Sequence, residues 1–200
     1  MPAPIAFWFD FSSPYGYIAA ELIDAVAARH DRAVNWHPIL LGPIFKQVGT
    51  APLADLPLKG DYAKRDFART ARYHDVPFRL PAVFPIATQV AARAFYLIAD
   101  ADPARAHDFA KRVFRAYFAD GRDIADAEVV MALAAEAGAD TQALVDPLKG
   151  DAVKARVRTE VENAVKAGVF GSPYFIVDGE PFWGVDRLPM LEEWIRTGGW

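Results

Sequence analysis

Ser13 stands where an apolar, aromatic-rich stretch of the sequence meets a proline. Residues 5–11 (IAFWFDF) are typical of a buried strand, and from Pro14 onward apolar residues recur with helical spacing. Proline suits the first turn of a helix because the N–H that it lacks would be unpaired there. Ser13 is therefore predicted to precede a helix, where free N–H groups and the helix dipole stabilise an anion. Its hydroxyl could bind such an anion, although an ordinary N-cap serine fits the same pattern.

The cysteine count narrows the chemistry that this chain can carry out. Its 200 residues include no cysteine, which excludes disulfides, thiolate nucleophiles, Cys-x-x-Cys redox motifs and cysteine zinc sites. The four histidines show no metal-binding spacing, so no metal site is predicted. A thiol that takes part in the reaction must therefore arrive with a ligand.

Charge and hydropathy indicate the class of partner. The net charge is −4 and the sequence pI is near 5.6, which argues against nucleic acid or an anionic membrane as a partner. The N-terminal stretch has no basic residue before Arg29, which disfavours a targeting peptide. Apolar runs stay shorter than the about 18–20 residues of a membrane span. We expect a soluble cytoplasmic protein whose partner is neither nucleic acid nor a membrane.

Strand signals occur at both ends of the chain, and helical signals fill the middle. Residues 5–38 predict a strand, a helix and a second strand, and residues 171–197 predict two strands, joined at Asp178-Gly179, and a last helix. Residues 41–60 are predicted to form a loop, and the segments predicted as helices after it are 61–74, 88–100, 103–118, 126–137, 141–146 and 151–167. This order predicts an α/β, thioredoxin-like fold (β-α-β … β-β-α) with a large all-helical insertion. The predicted domains are a discontinuous thioredoxin-like unit, 1–40 and 168–200, and an insertion domain, 41–167.

Four short segments, in this order, carry a resemblance to a known family. They are FDFSSPY at 9–15, LPLKGDY at 56–62, FGSP at 170–173 and WGVDR at 183–187. With them the chain resembles the DsbA-like branch of thioredoxin folds, and most of all the 2-hydroxychromene-2-carboxylate isomerases and the kappa-class glutathione transferases. Where DsbA-like proteins carry Cys-x-x-Cys, this chain has Ser13 and Gly16. The resemblance therefore implies an anion site without redox chemistry.

The resemblance implies that glutathione is the cofactor and that Ser13 is the catalytic residue. Ser13 would donate a hydrogen bond to the sulfur of bound glutathione, which favours the thiolate. Pro173 matches the cis-proline that faces this turn in thioredoxin-like folds, and the backbone of Ser172 would bind the cysteinyl part of glutathione. Taken alone, Gly171-Ser172-Pro173 is more typical of a plain turn before a strand.

Four further positions are implied to bind glutathione. Asp186 would bind the γ-glutamyl ammonium beside the backbone of Val185, and Lys59 would contact the peptide or its glycyl carboxylate. Thr50 stands where kappa-class members have a glutathione-contacting asparagine, and Val185 stands where serine or asparagine is common. From the sequence alone, Asp186 also fits a helix N-cap and Lys59 a solvated surface residue.

The activity implied is that of a glutathione-dependent isomerase of the 2-hydroxychromene-2-carboxylate type. Its reaction would be ring opening and cis/trans isomerisation to trans-o-hydroxybenzylidenepyruvate, or the analogous change in another aromatic or unsaturated carboxylic acid. A kappa-like glutathione transferase would use the same site. A redox-inactive thioredoxin-like binding module is the alternative from a different class. The resemblance also implies a homodimer.

Overall fold

The computed structural model describes residues 2–200, and its elements alternate as predicted at the two ends of the chain. The N-terminal unit comprises β1 (Ile5–Phe9), α1 (Pro14–Ala28) and β2 (Val34–Pro38). The middle of the chain contains α2 (Leu41–Val48), α3 (Lys59–Tyr73), α4 (Gln89–Ala101), α5 (Pro103–Arg115), α6 (Ala127–Glu136), α7 (Thr141–Leu144) and α8 (Asp151–Lys166). The C-terminal unit comprises β3 (Tyr174–Val177), β4 (Glu180–Trp183) and α9 (Leu188–Thr197). Among residues 2–200, every helix is too short or too polar to span a lipid bilayer.

The two ends of the chain form one four-stranded mixed sheet with the strand order β2-β1-β3-β4. β1 pairs in parallel with β2, aligning Phe7 with Trp36, and antiparallel with β3, aligning Phe7 with Phe175. A parallel pair needs a crossover connection, and α1 supplies it. The sheet and the helices between β2 and β3 confirm the predicted α/β thioredoxin-like fold with its helical insertion.

Helices pack against both faces of the sheet, and β1 contributes aromatic side chains to the core on each face. Phe7 and Phe9 are fully buried in one core, where the ring of Phe9 lies 5.4 Å from that of Phe114 on α5. Trp8 points into a second core, which it shares with Ile44 of α2 and Val161 of α8. The end of β1, and with it the turn that follows, is therefore fixed by packing on both faces of the sheet.

The segment 41–60, which the sequence analysis predicted as a loop, is partly helical. Leu41 and Ile44 are buried and three residues apart, so one side of α2 packs on the second core. Pro43 lies in the first turn, where its missing N–H costs nothing, and Gly49 ends the helix with a φ of 73°. Residues Leu53–Asp55 add a short 3₁₀ turn. Eight residues with a glycine and a proline are too few to display a helical period.

The division into a thioredoxin-like unit and an insertion domain, at residues 40/41 and 167/168, stays a prediction. Buried residues of both parts belong to one continuous core, as the pairing of Phe9 with Phe114 illustrates.

Candidate active site

The Ser13 hydroxyl makes two hydrogen bonds at the start of α1. Ser13 is the N-cap residue, with φ −91° and ψ 116°, and its Oγ accepts from the Gly16 N–H at 3.0 Å. The same hydroxyl donates to the Ser172 carbonyl oxygen at 3.0 Å. Its side chain is buried, with 7% of the residue exposed. The capping role therefore exists, and it coexists with a contact to a segment 159 positions away in sequence.

The Ser172–Pro173 segment faces this turn and is fixed on both sides. The peptide bond between the two residues is cis, as expected. The Ser172 Oγ accepts a hydrogen bond from the Asp10 N–H at 3.1 Å, and the Pro173 carbonyl oxygen accepts from the Gly184 N–H at 3.0 Å. Three distant segments therefore meet at Ser172 and Pro173.

Gly16 permits this close approach. A Cβ atom on residue 16 would lie 2.8 Å from the Ser172 Oγ and 3.0 Å from the Cβ of Ser13. Side-chain atoms do not pack so closely, and glycine at this position keeps α1 and the cis-proline segment together.

One backbone N–H at the start of α1 remains available. Pro14 carries none, the Gly16 N–H is bound by the Ser13 Oγ, and the Tyr17 N–H donates to the Ser13 carbonyl oxygen. That leaves the N–H of Tyr15, for which residues 2–200 provide no acceptor. A free N–H beside a hydroxyl, at the positive end of a 15-residue helix, favours a bound anion.

The Asp10 carboxylate, directly after β1, binds the turn that precedes α1, and nothing in the sequence marked it as a site residue. Its Oδ1 accepts from the Ser12 N–H and from the hydroxyls of Ser12 and Thr88, each at 2.9 Å, and its Oδ2 accepts from the Leu41 N–H at 2.8 Å. Burial raises the pKa of the Asp10 carboxyl, while these hydrogen bonds act in the opposite direction. The sequence shows a single carboxylate at the end of an apolar stretch, which could have indicated a structural role for Asp10. It does not show that Leu41 and Thr88, which are distant in sequence, donate hydrogen bonds to it.

The segment from Gly184 to Asp186 lies next to Pro173 through the Gly184 hydrogen bond. Val185 is buried, whereas the Asp186 side chain is 69% exposed and lies 3.5 Å from the Arg187 guanidinium. Gly184 has a φ of 106°, and a Cβ there would lie 2.5 Å from the Asp186 Oδ1. Glycine therefore allows the carboxylate to fold back beside the backbone, where it remains open to solvent.

Lys59 and Thr50 are exposed residues outside this hydrogen-bonded cluster. Lys59 is the first residue of α3 and Thr50 follows α2, and both side chains are exposed. Among residues 2–200, no hydrogen bond joins either of them to Ser13, Ser172 or Asp186. The structure thus brings together Ser13, Ser172, Pro173, Val185 and Asp186, and it leaves Lys59 and Thr50 at the surface.

The helix that begins at Lys59 nevertheless packs against the start of α1. The Tyr15 ring lies 5.0 Å from that of Phe67, and the Tyr15 hydroxyl donates a hydrogen bond to Asp66. Burial, together with the neighbouring Asp66 carboxylate, raises the pKa of Tyr15 far above its usual range. Burial would also raise the pKa of Asp66, but hydrogen bonds from Tyr15 and Arg69 outweigh that effect and lower it. Tyr15 therefore stays protonated and anchors α3.

The residues that the structure describes contain no group of three or more histidine, cysteine, aspartate or glutamate side chains that could hold a metal ion. The polar groups present at this turn are the Ser13 hydroxyl and the backbone groups around it, and the solvent-exposed carboxylate of Asp186 follows two residues after Gly184.

A family model of the DSBA-like thioredoxin domain matches residues 4–196. The chain belongs to the DsbA-like thioredoxin family. Within this family it is 31% identical over 192 residues to a 2-hydroxychromene-2-carboxylate isomerase of Pseudomonas sp. (strain C18), covering 94% of this chain and 88% of that protein. It is 25% identical over 213 residues to glutathione S-transferase kappa 1 of Rattus norvegicus, covering 97% of this chain and 94% of the relative.

A solved structure of 2-hydroxychromene-2-carboxylate isomerase superimposes with a TM-score of 0.84 at 30% identity, covering 94% of this chain and 92% of that one. The predicted resemblance to the isomerase branch of the DsbA-like family is confirmed. Relatives named as an isomerase and as a transferase support an enzymatic role for this chain.

Proposed function

We propose that this protein is a glutathione-dependent isomerase of the 2-hydroxychromene-2-carboxylate type. It would form trans-o-hydroxybenzylidenepyruvate or isomerise an analogous aromatic or unsaturated carboxylic acid. The observation that carries the proposal is the Ser13 hydroxyl. It caps α1 beside the cis-proline segment, in a chain without cysteine and with isomerases among its relatives.

The residues at the site fit glutathione. Ser13 would contact the sulfur, the backbones of Ser172 and Val185 would contact the peptide, and the exposed Asp186 would pair with the γ-glutamyl ammonium. Lys59, at the start of α3, and Thr50, after α2, would bind the glycyl end, which suits their exposed side chains.

The hydrogen bonds around Ser13 can be exchanged without loss when this ligand binds. The hydroxyl now donates to the Ser172 carbonyl oxygen. If it turns to donate to a sulfur anion, that carbonyl oxygen becomes available to an N–H of the ligand, as in the addition of a strand. The partly buried carbonyl oxygen therefore keeps a partner in both states.

The donors at the start of α1 are sufficient to favour a thiolate. A thiol has a pKa near ~8.5, and lowering it by two units requires roughly 2.7 kcal/mol. A hydroxyl donor to an anion contributes about 1.5–3 kcal/mol and the helix dipole about 0.3–1 kcal/mol. Bound glutathione would supply a thiolate nucleophile that adds reversibly to a carbon conjugated with a carbonyl, which permits cis/trans isomerisation.

The test is titration of reduced glutathione into the wild-type protein and Ser13→Ala, followed by turnover of a 2-hydroxychromene-2-carboxylate. We expect thiolate absorbance near pH 7 in the wild type only. Turnover at pH 7 should fall roughly 25-fold in Ser13→Ala, because a thiol with a pKa of about 6.5 is mostly ionised at that pH, whereas one with a pKa of about 8.5 is only about 3% ionised. Asp126→Ala is the matched control, because it removes the N-cap of α6 at a similar cost of about 1 kcal/mol. Turnover that survives in Ser13→Ala would remove Ser13 from the mechanism.

The kappa-like transferase remains the second candidate, on the strength of the kappa 1 relative. An isomerase regenerates glutathione, whereas a transferase consumes one molecule for each product, so the glutathione concentration during turnover separates them. A redox-inactive binding module would bind no glutathione at millimolar concentration.

We also propose a cytoplasmic homodimer that binds neither nucleic acid nor membranes. Three large apolar side chains on β4 and near α9 support a protein contact: Trp183, Met190 and Trp200 are 55%, 42% and 68% exposed. They border a cavity of about 610 Å³. Sedimentation velocity of the wild type against Trp200→Ser tests whether a second copy covers this surface.

A further inference from the structure

An open groove lies between α2, α4 and α8, on the helical part of the molecule. Its volume is about 660 Å³, which is within the range of about 300–1,000 Å³ of small-molecule sites. The residues that define its character are Arg93, Lys154, Val157, Arg158, Val161 and Lys166. The proposed activity uses none of them.

The floor of the groove is apolar. Val157, Val161 and Val165 recur every four residues on α8 and form one stripe along the helix. Val157 and Val161 are buried, and Leu40 and Pro43 close the side formed by α2. From Lys154 to Lys166 the helix rises about 18 Å, so the groove is elongated.

The rim of the groove is basic, although the chain as a whole carries a net charge of −4. Four basic side chains line it against one acidic side chain, Glu162. Within residues 2–200, no carboxylate lies within 4.0 Å of Arg93, Arg158 or Lys166. Lys154 pairs at 2.9 Å with Asp151, whose side chain is 99% exposed.

Surface arginines elsewhere commonly have a carboxylate partner. Arg29 pairs with Glu192 at 2.8 Å and Arg115 pairs with Glu21 across two helices. Three basic side chains without such a partner, beside an apolar stripe, therefore mark a surface that is complementary to an anion with an apolar body.

We propose that this groove binds a medium-chain alkyl carboxylate. Its chain would lie along the valine stripe of α8, and its carboxylate would pair with Arg93 and Arg158. An arginine fork matches a carboxylate in geometry as well as in charge. The volume and length of the groove suit a single small molecule rather than a macromolecule.

The groove shares no lining residue with the Ser13 turn, but two of its residues are chain neighbours of residues that bind Asp10. Leu40 and Gln89 line the groove, and their chain neighbours Leu41 and Thr88 donate hydrogen bonds to Asp10. Neither Ser13 nor Ser172 lines the groove. The proposal stands independently of the proposed isomerase activity.

The experiment is calorimetric titration of decanoate, below its micelle concentration, into the full-length protein. We expect one site, with binding at least tenfold weaker in Arg93→Gln/Arg158→Gln and for the uncharged analogue 1-decanol. Arg65→Gln/Arg72→Gln on α3 is the matched control and should bind as the wild type does. Val161→Asp places a carboxylate in the floor and should abolish binding, while circular dichroism verifies its fold. Saturating glutathione and Ser13→Ala should leave decanoate binding unchanged.

Several outcomes overturn this proposal. They are no heat of binding for decanoate at millimolar concentration, equal binding of decanoate and 1-decanol, and equal binding by the two double variants. Competition by glutathione would assign the ligand to the Ser13 site. A dimer that dissociates in Arg93→Gln/Arg158→Gln would show that a second copy covers the groove.

Discussion

At the scale of single residues, the site depends on a glycine that leaves room for two serines. Helix propensity favours alanine over glycine by about 1 kcal/mol, so substitution in α1 would ordinarily stabilise the protein. At Gly16 the added methyl group meets the Ser172 Oγ at 2.8 Å and the Ser13 Cβ at 3.0 Å. At residue 16, close packing therefore favours glycine, although helix propensity favours alanine.

We expect Gly16→Ala to lower the free energy of unfolding by about 1–3 kcal/mol, because overpacking displaces the cis-proline segment. Gly42→Ala is the control: residue 42 lies in α2, and a Cβ there meets nothing within 4 Å. It should be neutral or stabilising by up to about 1 kcal/mol. Urea denaturation of both variants measures the difference, and equal effects would show that the close approach carries no energetic weight.

The position of Ser13 was predictable because it depends on neighbouring residues: an apolar strand, then Pro14, then helical spacing. The hydrogen bond from its hydroxyl to the Ser172 carbonyl oxygen was not, since that bond depends on where a segment 159 positions away is placed. Asp10 was missed for the same reason. A carboxylate in a strand is visible in the sequence, but its acceptor role becomes apparent only when Leu41 and Thr88 are brought to it.

At the scale of elements, Asp10 joins β1 to the helical insertion. One of its oxygens reaches the first residue of α2, and the other reaches the residue before α4. Both oxygens accept hydrogen bonds, so an amide cannot replace the carboxylate: its NH₂ group would face a donor on one side.

Asp10→Asn is expected to lower the free energy of unfolding by about 2–3 kcal/mol, because a buried donor loses its acceptor. Thr88→Val removes a single hydrogen bond and should cost about 1 kcal/mol. Asp61→Asn, at a side chain that is 95% exposed, should change stability by less than about 0.5 kcal/mol. Chemical denaturation of the three variants tests this order, and an Asp10→Asn protein as stable as Asp61→Asn would contradict it.

The predicted order of strands and helices held because each long element shows its own period in the sequence. α2 was missed, since its eight residues include Gly42 and Pro43 and its helical spacing rests on Leu41 and Ile44. The basic groove was also not predictable, because three helices from distant parts of the chain form it.

At the scale of the whole molecule, the Arg32–Asp178 ion pair joins the β1-α1-β2 unit to the β3–β4 turn, and the Arg29–Glu192 pair joins the same unit to α9. The guanidinium of Arg32, between α1 and β2, contacts both carboxylate oxygens of Asp178 at 2.7 Å in the β3–β4 turn. These hydrogen bonds lower the pKa of Asp178. A carboxyl whose pKa is lower in the folded state adds stability above its unfolded pKa of about 3.9, and this stability is lost as the pH falls through the folded pKa.

Asp178→Asn should therefore be less stable than the wild type at pH 7, and the difference should shrink as the pH falls below about 4. Since the Asp178 side chain is 41% exposed, solvent screening limits the effect to about 1 kcal/mol. Asparagine tolerates the φ of 52° at this position, so backbone strain does not confound the comparison. Urea denaturation of both proteins across this pH range provides the measurement, and a difference that is constant with pH would exclude the ion pair as its source.

The pairing of β1 with β3 has a consequence for biosynthesis. The ribosome makes Ser13 early, but Ser172 follows 159 residues later, a delay of about 8–30 s at ordinary elongation rates. Throughout that interval one edge of β1 has no strand beside it, and an unpaired strand edge is a site for aggregation. The nascent chain therefore passes through a long period in which chaperone protection of β1 matters, and the hydrogen bond between Ser13 and Ser172 forms only after residue 172 has been synthesised.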